Sequence, residues 1–100
     1  MQTVIFIGIQ ATGKSTFYAQ YFFKSHIRLS LDMLHTRYRE QLLFNACLEA
    51  KQPFVIDNTN PTIEDRARYI VPARKSKFNV FGYYFQSSTQ AALQRNAQRH

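Results

Sequence analysis

Eight residues near the N-terminus, Gly8-Ile9-Gln10-Ala11-Thr12-Gly13-Lys14-Ser15, spell GxxxxGKS directly behind the apolar run Val4-Ile5-Phe6-Ile7. A chain with this pattern has to place a strand, a tight glycine-bearing loop and a helix start in immediate succession. The flanks agree with that demand. Thr3 to Ile7 is a near-continuous β-branched and aromatic run, suited to a strand buried on both faces of a parallel sheet, and Phe17 to Phe23 holds no Gly or Pro to stop a helix. The loop itself reads as a phosphate cradle. Glycine lets the backbone pass close to an anion at dihedrals a side chain would forbid, while successive N–H groups converge on it. Lys14 can reach β and γ phosphates as a point charge, the Ser15 hydroxyl can bind Mg²⁺, and the following helix presents its positive end. Gly8 to Thr16 is therefore the expected binding segment for a nucleoside triphosphate.

The rest of the chain alternates between strand-like and helix-like segments. The spacing predicts a helix over Ser15 to Phe23, a short strand over His26 to Ser30 and a long helix over Leu31 to Lys51. In that helix Leu31, Leu34, Tyr38, Leu42 and Cys47 form one apolar face and Arg37, Arg39, Glu40 and Glu49 occupy the remaining surface. Pro53 introduces a third strand, Phe54-Val55-Ile56-Asp57. Thr62 and Asp65 form a capping box for a helix that Pro72 should kink or shorten. Phe78 to Phe85 reads as a fourth strand, Ser87 or Ser88 as an N-cap, and Thr89 to Arg99 as a last helix. Phe6, Tyr18, Phe22, Phe44, Phe54 and Phe81 are expected in the core. This alternation predicts an α/β fold in which a mainly parallel sheet is flanked by helices in three α/β/α layers. At 100 residues, 45% of them apolar and 19% charged, the chain is expected to form a single domain spanning 1–100.

In open parallel sheets ligands bind beyond the carboxyl ends of the strands, so the residues following Ile7, Leu29, Ile56 and Phe85 are the ones to inspect. Asp32, after the second strand, can accept the proton of an attacking hydroxyl, or can simply stabilise the helix N-terminus it begins. Asp57, after the third, can help hold Mg²⁺, and Asn58, Thr59 and Asn60 with it can orient an acceptor. The same Asp-Asn-Thr-Asn-Pro run is also a good turn and helix start. Arg95 and Arg99, four apart, can grip one charged ligand from a single helix face, or form a solvated basic surface. The net charge of +7 favours polyanions as partners. His26, His35 and His100 lack metal-ligand spacing, so no structural zinc is expected. The lone Cys47 excludes an internal disulfide and fits a reducing cytoplasm. The short N-terminal apolar run is no signal or membrane segment.

Assembled in order, the phosphate loop through Thr16, Leu29 to Asp32, Val55-Ile56-Asp57-Asn58-Thr59-Asn60-Pro61 and Leu93-Gln94-Arg95-Asn96-Ala97-Gln98-Arg99 resemble the kinase domain of polynucleotide 5′-hydroxyl kinases. The chain is closer still to small bacterial ATP-binding proteins of the same type. The resemblance implies the P-loop NTPase fold, ATP and Mg²⁺ bound at Lys14 and Ser15, Asp32 as general base, and phosphate contacts from Arg99 with Arg95 nearby. It also places Asp57 to Asn60 beside the acceptor, so Asp57 has a second possible role. His35 stands where some family members carry an acceptor-binding arginine, with Arg37 two residues on, and both join the candidate substrate residues. The family domain continues beyond the last helix, so truncation at the C-terminus is expected. The function expected is transfer of the γ-phosphoryl of ATP to a hydroxyl, foremost a polynucleotide 5′ end. The alternatives are a sugar or nucleoside acceptor, or an ATP-binding module without turnover.

Overall fold

The computed structural model describes residues 1–8 and 13–85. Eight elements follow in the order β1 (Gln2–Ile7), α1 (Lys14–Tyr21), β2 (Ile27–Leu29), α2 (Leu31–Leu34), α3 (Arg37–Ala50), β3 (Phe54–Asp57), α4 (Ile63–Lys75) and β4 (Asn79–Tyr84). The four strands form one parallel sheet in the order β2-β3-β1-β4. Val4 of β1 sits between Val55 of β3 and Phe81 of β4, and Phe6 is in register with Asp57.

Successive side chains of a strand point to opposite faces, and β1 divides its apolar residues accordingly. Val4 and Phe6 pack with Val55, Phe22, Phe17 and Tyr18 on the α1 side. Ile5 and Ile7 pack with Leu29, Phe54 and Ile56 against Phe44, Cys47 and Leu48 of α3 and Tyr69 and Ala73 of α4 on the other. Both faces of the sheet are thus covered, giving the three-layer α/β/α arrangement, and the unbroken apolar runs of β1 and β3 follow from this double burial. Among the described residues, no helix is long and apolar enough to cross a membrane.

The predicted helix over Leu31 to Lys51 is two helices. His35 adopts a left-handed conformation (φ 73°) that closes α2, and the Thr36 hydroxyl accepts from the Arg39 N–H, 3.1 Å, as the N-cap of α3. A threonine that caps cannot also continue the preceding helix, so the two segments do not share a helical face. The stripe counted from Leu31 fails for that reason. Tyr38 and Leu42 are exposed, while the buried face of α3 is Glu40, Phe44, Cys47 and Leu48. Glu40, expected on the surface, is buried. Phe81, expected in the core, is 43% exposed because β4 lies at the edge of the described sheet. Pro72 does not end α4, which runs on to Lys75. The Thr62–Asp65 capping box is present as expected. The anticipated last helix, with Ser87, Ser88, Arg95 and Arg99, lies outside the described residues.

Candidate active site

The carboxyl ends of β1, β3 and β2 adjoin, and each hands its chain to a polar segment. Gly8 leaves β1 with φ 148°, and a β-carbon there would stand 2.2 Å from the Phe85 carbonyl oxygen. Its N–H donates to the Thr59 carbonyl, 3.0 Å, tying the start of the phosphate loop to the segment after β3. Gly13 (φ 90°) is the N-cap of α1. Ile9, Gln10, Ala11 and Thr12 lie outside the described residues. Thr16 is exposed on the first turn of α1.

Lys14, buried, donates its Nζ to the Gly8 carbonyl at 2.9 Å and lies 3.4 Å from Asp57 Oδ1. Asp57 ends β3 and is also buried. Its Oδ2 accepts from Arg28 Nε at 2.6 Å and is ion-paired with Arg28 Nη2, while Oδ1 receives no hydrogen bond. Arg28 Nη2 also donates to Ser15 Oγ, 2.8 Å, and the guanidinium carbon stands 5.4 Å from the centre of the Tyr18 ring. Lys14, Ser15 and Asp57 are thereby brought into one charged cluster.

Ser15 and Asp57 offer one hydroxyl and one carboxylate, and Asp57 Oδ1 is a buried oxygen that accepts no hydrogen bond, with the Lys14 ammonium 3.4 Å away. Magnesium characteristically takes one or two carboxylates and completes its shell with substrate phosphates and water. The donor set fits a phosphate-bound Mg²⁺. It does not form an all-protein cage, since no group of three or more His, Cys, Asp or Glu gathers among the described residues.

A second network sits beside the first. The Leu31 N–H donates to Asn58 Oδ1, 2.9 Å, so Asn58 holds the first turn of α2, in which Asp32 lies exposed. Asn58 Nδ2 donates to Glu40 Oε2, 2.7 Å, and Glu40 Oε1 accepts from the Tyr69 hydroxyl, 2.8 Å, and from Arg37 Nη1, 3.2 Å. Arg37 Nη1 also donates to the Tyr69 hydroxyl. Burial, then the bond to Glu40, pushes the Tyr69 phenol above its ordinary pKa. Asn60, buried with a left-handed backbone (φ 47°), donates Nδ2 to the Phe6 carbonyl at 2.9 Å, and Arg66 Nε donates to the Asn60 carbonyl at 3.1 Å. The segment after β3 is thus clamped to β1, α2, α3 and α4.

The carboxamides of Asn58 and Asn60 are both committed to the scaffold, and Thr59 is engaged through its carbonyl while its side chain is exposed. His35 is exposed and terminates α2, and Arg37 directs its guanidinium to Glu40 and Tyr69. Sequence reasoning passed over Arg28, Glu40 and Tyr69. The signal for Arg28 was a lone charge inside the apolar Ile27-Arg28-Leu29 strand. The signal for Glu40 was its spacing of four, seven and eight residues from Phe44, Cys47 and Leu48, which is one helix face.

Residues 4–100 match the family model of the AAA domain. The chain is 31% identical over 100 residues to the bifunctional polynucleotide phosphatase/kinase of Schizosaccharomyces pombe, an alignment covering 99% of this chain and 24% of that protein. It therefore spans about a quarter of the length of that relative.

Proposed function

The chain belongs to the AAA domain family, as a P-loop kinase-like protein resembling polynucleotide kinases, and from that premise we propose that it is an ATP-dependent phosphotransferase. It transfers the γ-phosphoryl of ATP to a hydroxyl, foremost the 5′-hydroxyl of a polynucleotide. The observation that carries this reading is the adjacency of two networks on one rim. Lys14, Ser15 and Asp57 gather after β1 and β3, and Asn58, the next residue, fixes the turn that bears Asp32. A site that only held nucleotide has no need of a carboxylate on a turn so fixed.

In this reading the phosphate loop binds the triphosphate through its N–H groups, and Lys14 leaves the Gly8 carbonyl to meet the β and γ oxygens. Ser15 and Asp57 would hold Mg²⁺, which would supply positive charge against that of the phosphates. Asp32 accepts the proton of the attacking hydroxyl as the new oxygen–phosphorus bond forms and the bond to ADP breaks. Asp57 to Asn60 shape the acceptor side, with His35 and Arg37 at its margin. The resemblance assigns Arg95 and Arg99 to the phosphates, where planar guanidinium groups suit charge spread over several oxygens.

The test is transfer from γ-labelled ATP with Mg²⁺ to 5′-hydroxyl DNA and RNA oligonucleotides, with nucleosides and sugars in parallel and Lys14→Ala as control. Labelled oligonucleotide ends that vanish in the control are expected. Label on small molecules alone would replace the acceptor, and ATP binding without transfer to any hydroxyl would overturn the enzyme reading. Asp32→Ala is expected to lose transfer and keep nucleotide binding.

A further inference from the structure

Arg28 is the charged residue of the edge strand β2, in register with Val55 and so on the α1 face of the sheet. Its guanidinium bridges two side chains that come from different elements, Ser15 on α1 and Asp57 at the end of β3. These are the same two residues that hold Mg²⁺ in the proposed function, and a role for Arg28 at the metal rests on that reading. With Lys14 at 3.4 Å, the buried Asp57 carboxylate already faces two cations. A dication taking Ser15 Oγ and Asp57 Oδ2 has to displace the Arg28 N–H groups bonded to them, so its binding there is opposed until the guanidinium withdraws.

We propose that Arg28 is a resident counter-cation of this site. Its guanidinium holds Ser15 Oγ and Asp57 together when no metal is bound and yields both oxygens when metal-nucleotide loads. Lys14 does not play this part, because in the proposed function it moves to the β and γ phosphates and it makes no bond to Ser15, which leaves Arg28 as the cation bonded to both side chains. Arg28 can, because a planar fork satisfies a hydroxyl and a carboxylate at once, and the Tyr18 ring beneath it supports the displaced guanidinium. The consequence is that Arg28 sets how strongly nucleotide binding depends on metal. With it present, part of the affinity gained from a divalent ion is spent on breaking the contacts to Ser15 and Asp57.

The experiment measures ADP affinity by calorimetry on the full chain, once with Mn²⁺ and once with EDTA, and takes the ratio of the dissociation constant in EDTA to that with Mn²⁺. Arg28→Gln is expected to raise that ratio about tenfold, which corresponds to ~1.4 kcal/mol. Arg28→Lys keeps the charge but cannot span both oxygens, and a smaller rise in the same direction is expected. Lys75→Gln, at the far end of α4, removes the same charge and should leave the ratio as in the wild type. An unchanged ratio in folded Arg28→Gln overturns the proposal, as does a loss of ADP affinity with and without metal alike. Should the Gln variant not fold, an unchanged ratio in Arg28→Lys overturns it equally. Failure of the wild type to bind ADP in either condition instead refutes the nucleotide site itself.

Discussion

The two glycines of the phosphate loop are required for different reasons, and substitution separates them. At Gly8 a β-carbon would lie 2.2 Å from a main-chain oxygen of Phe85, which no rotamer change relieves. At Gly13 a β-carbon would meet nothing within 4 Å, so only the φ of 90° resists a side chain. Gly13→Ala is expected to cost about 1–2 kcal/mol in urea unfolding, and Gly8→Ala clearly more because the clash adds to the strained dihedral. The reverse order would contradict the close approach of Phe85 to the loop. His26 offers a second check at this scale. Burial lowers its pKa below the ordinary 6.5, with Nδ1 2.7 Å from Ser25 Oγ and Nε2 3.0 Å from Gln2 Oε1. The unfolded chain then binds the proton more readily than the native one. Its contribution is complete above pH 6.5 and is lost as pH falls from there through the lower folded value. Thermal melts across this range should show a decline that His26→Gln diminishes. Individual residues were legible where local sequence dictates backbone geometry, as at Gly8 and Gly13. They were hidden where a partner comes from another element, as with Arg28 and its bonds to Ser15 and Asp57.

Helices carry the same lesson through their caps. Thr62 and Asp65 cap α4 reciprocally, a pattern visible in four consecutive residues. Thr36 caps α3 alone, after a left-handed His35, and nothing in the apolar spacing of Leu31 to Lys51 marks the interruption. That break separates a four-residue helix from α3 at the rim of the candidate site, and Glu40 is buried. Thr36→Ala is expected to cost about 1 kcal/mol, read from the denaturation midpoint. Glu40→Gln tests the network α3 brings to the site. A carboxamide has one donor end and cannot accept from Asn58, Tyr69 and Arg37 together, so a loss of about 1–3 kcal/mol is expected. Because Asn58 also holds the Asp32 turn, phosphotransfer should fall further than ATP affinity. An equal fall in both would confine Glu40 to stability.

At the scale of the whole molecule, the alternation of strands and helices foretold the class and the layering, but not the order β2-β3-β1-β4. Which strands neighbour one another depends on crossovers that bring distant segments together, and one sequence holds no direct record of that pairing. Among the described residues the edge position of β4 follows from the order, and with it the exposure of Phe81. The central strand β1 supplies residues to both cores, Val4 and Phe6 to one face and Ile5 and Ile7 to the other. Neither core can lose its packing without exposing a side of the same strand. The two are therefore expected to unfold together, as one cooperative transition whose calorimetric and van't Hoff enthalpies agree. Two transitions would contradict a single domain over residues 1–100. The phosphate loop leaves that same strand, so nucleotide bound there should stabilise both cores at once. At 100-fold excess over its dissociation constant ADP with metal adds about 2.7 kcal/mol, a rise on the order of 10 °C in a domain of this size. Lys14→Ala should abolish the rise while keeping the single transition. A rise that survives in Lys14→Ala would mean that the nucleotide binds away from the phosphate loop.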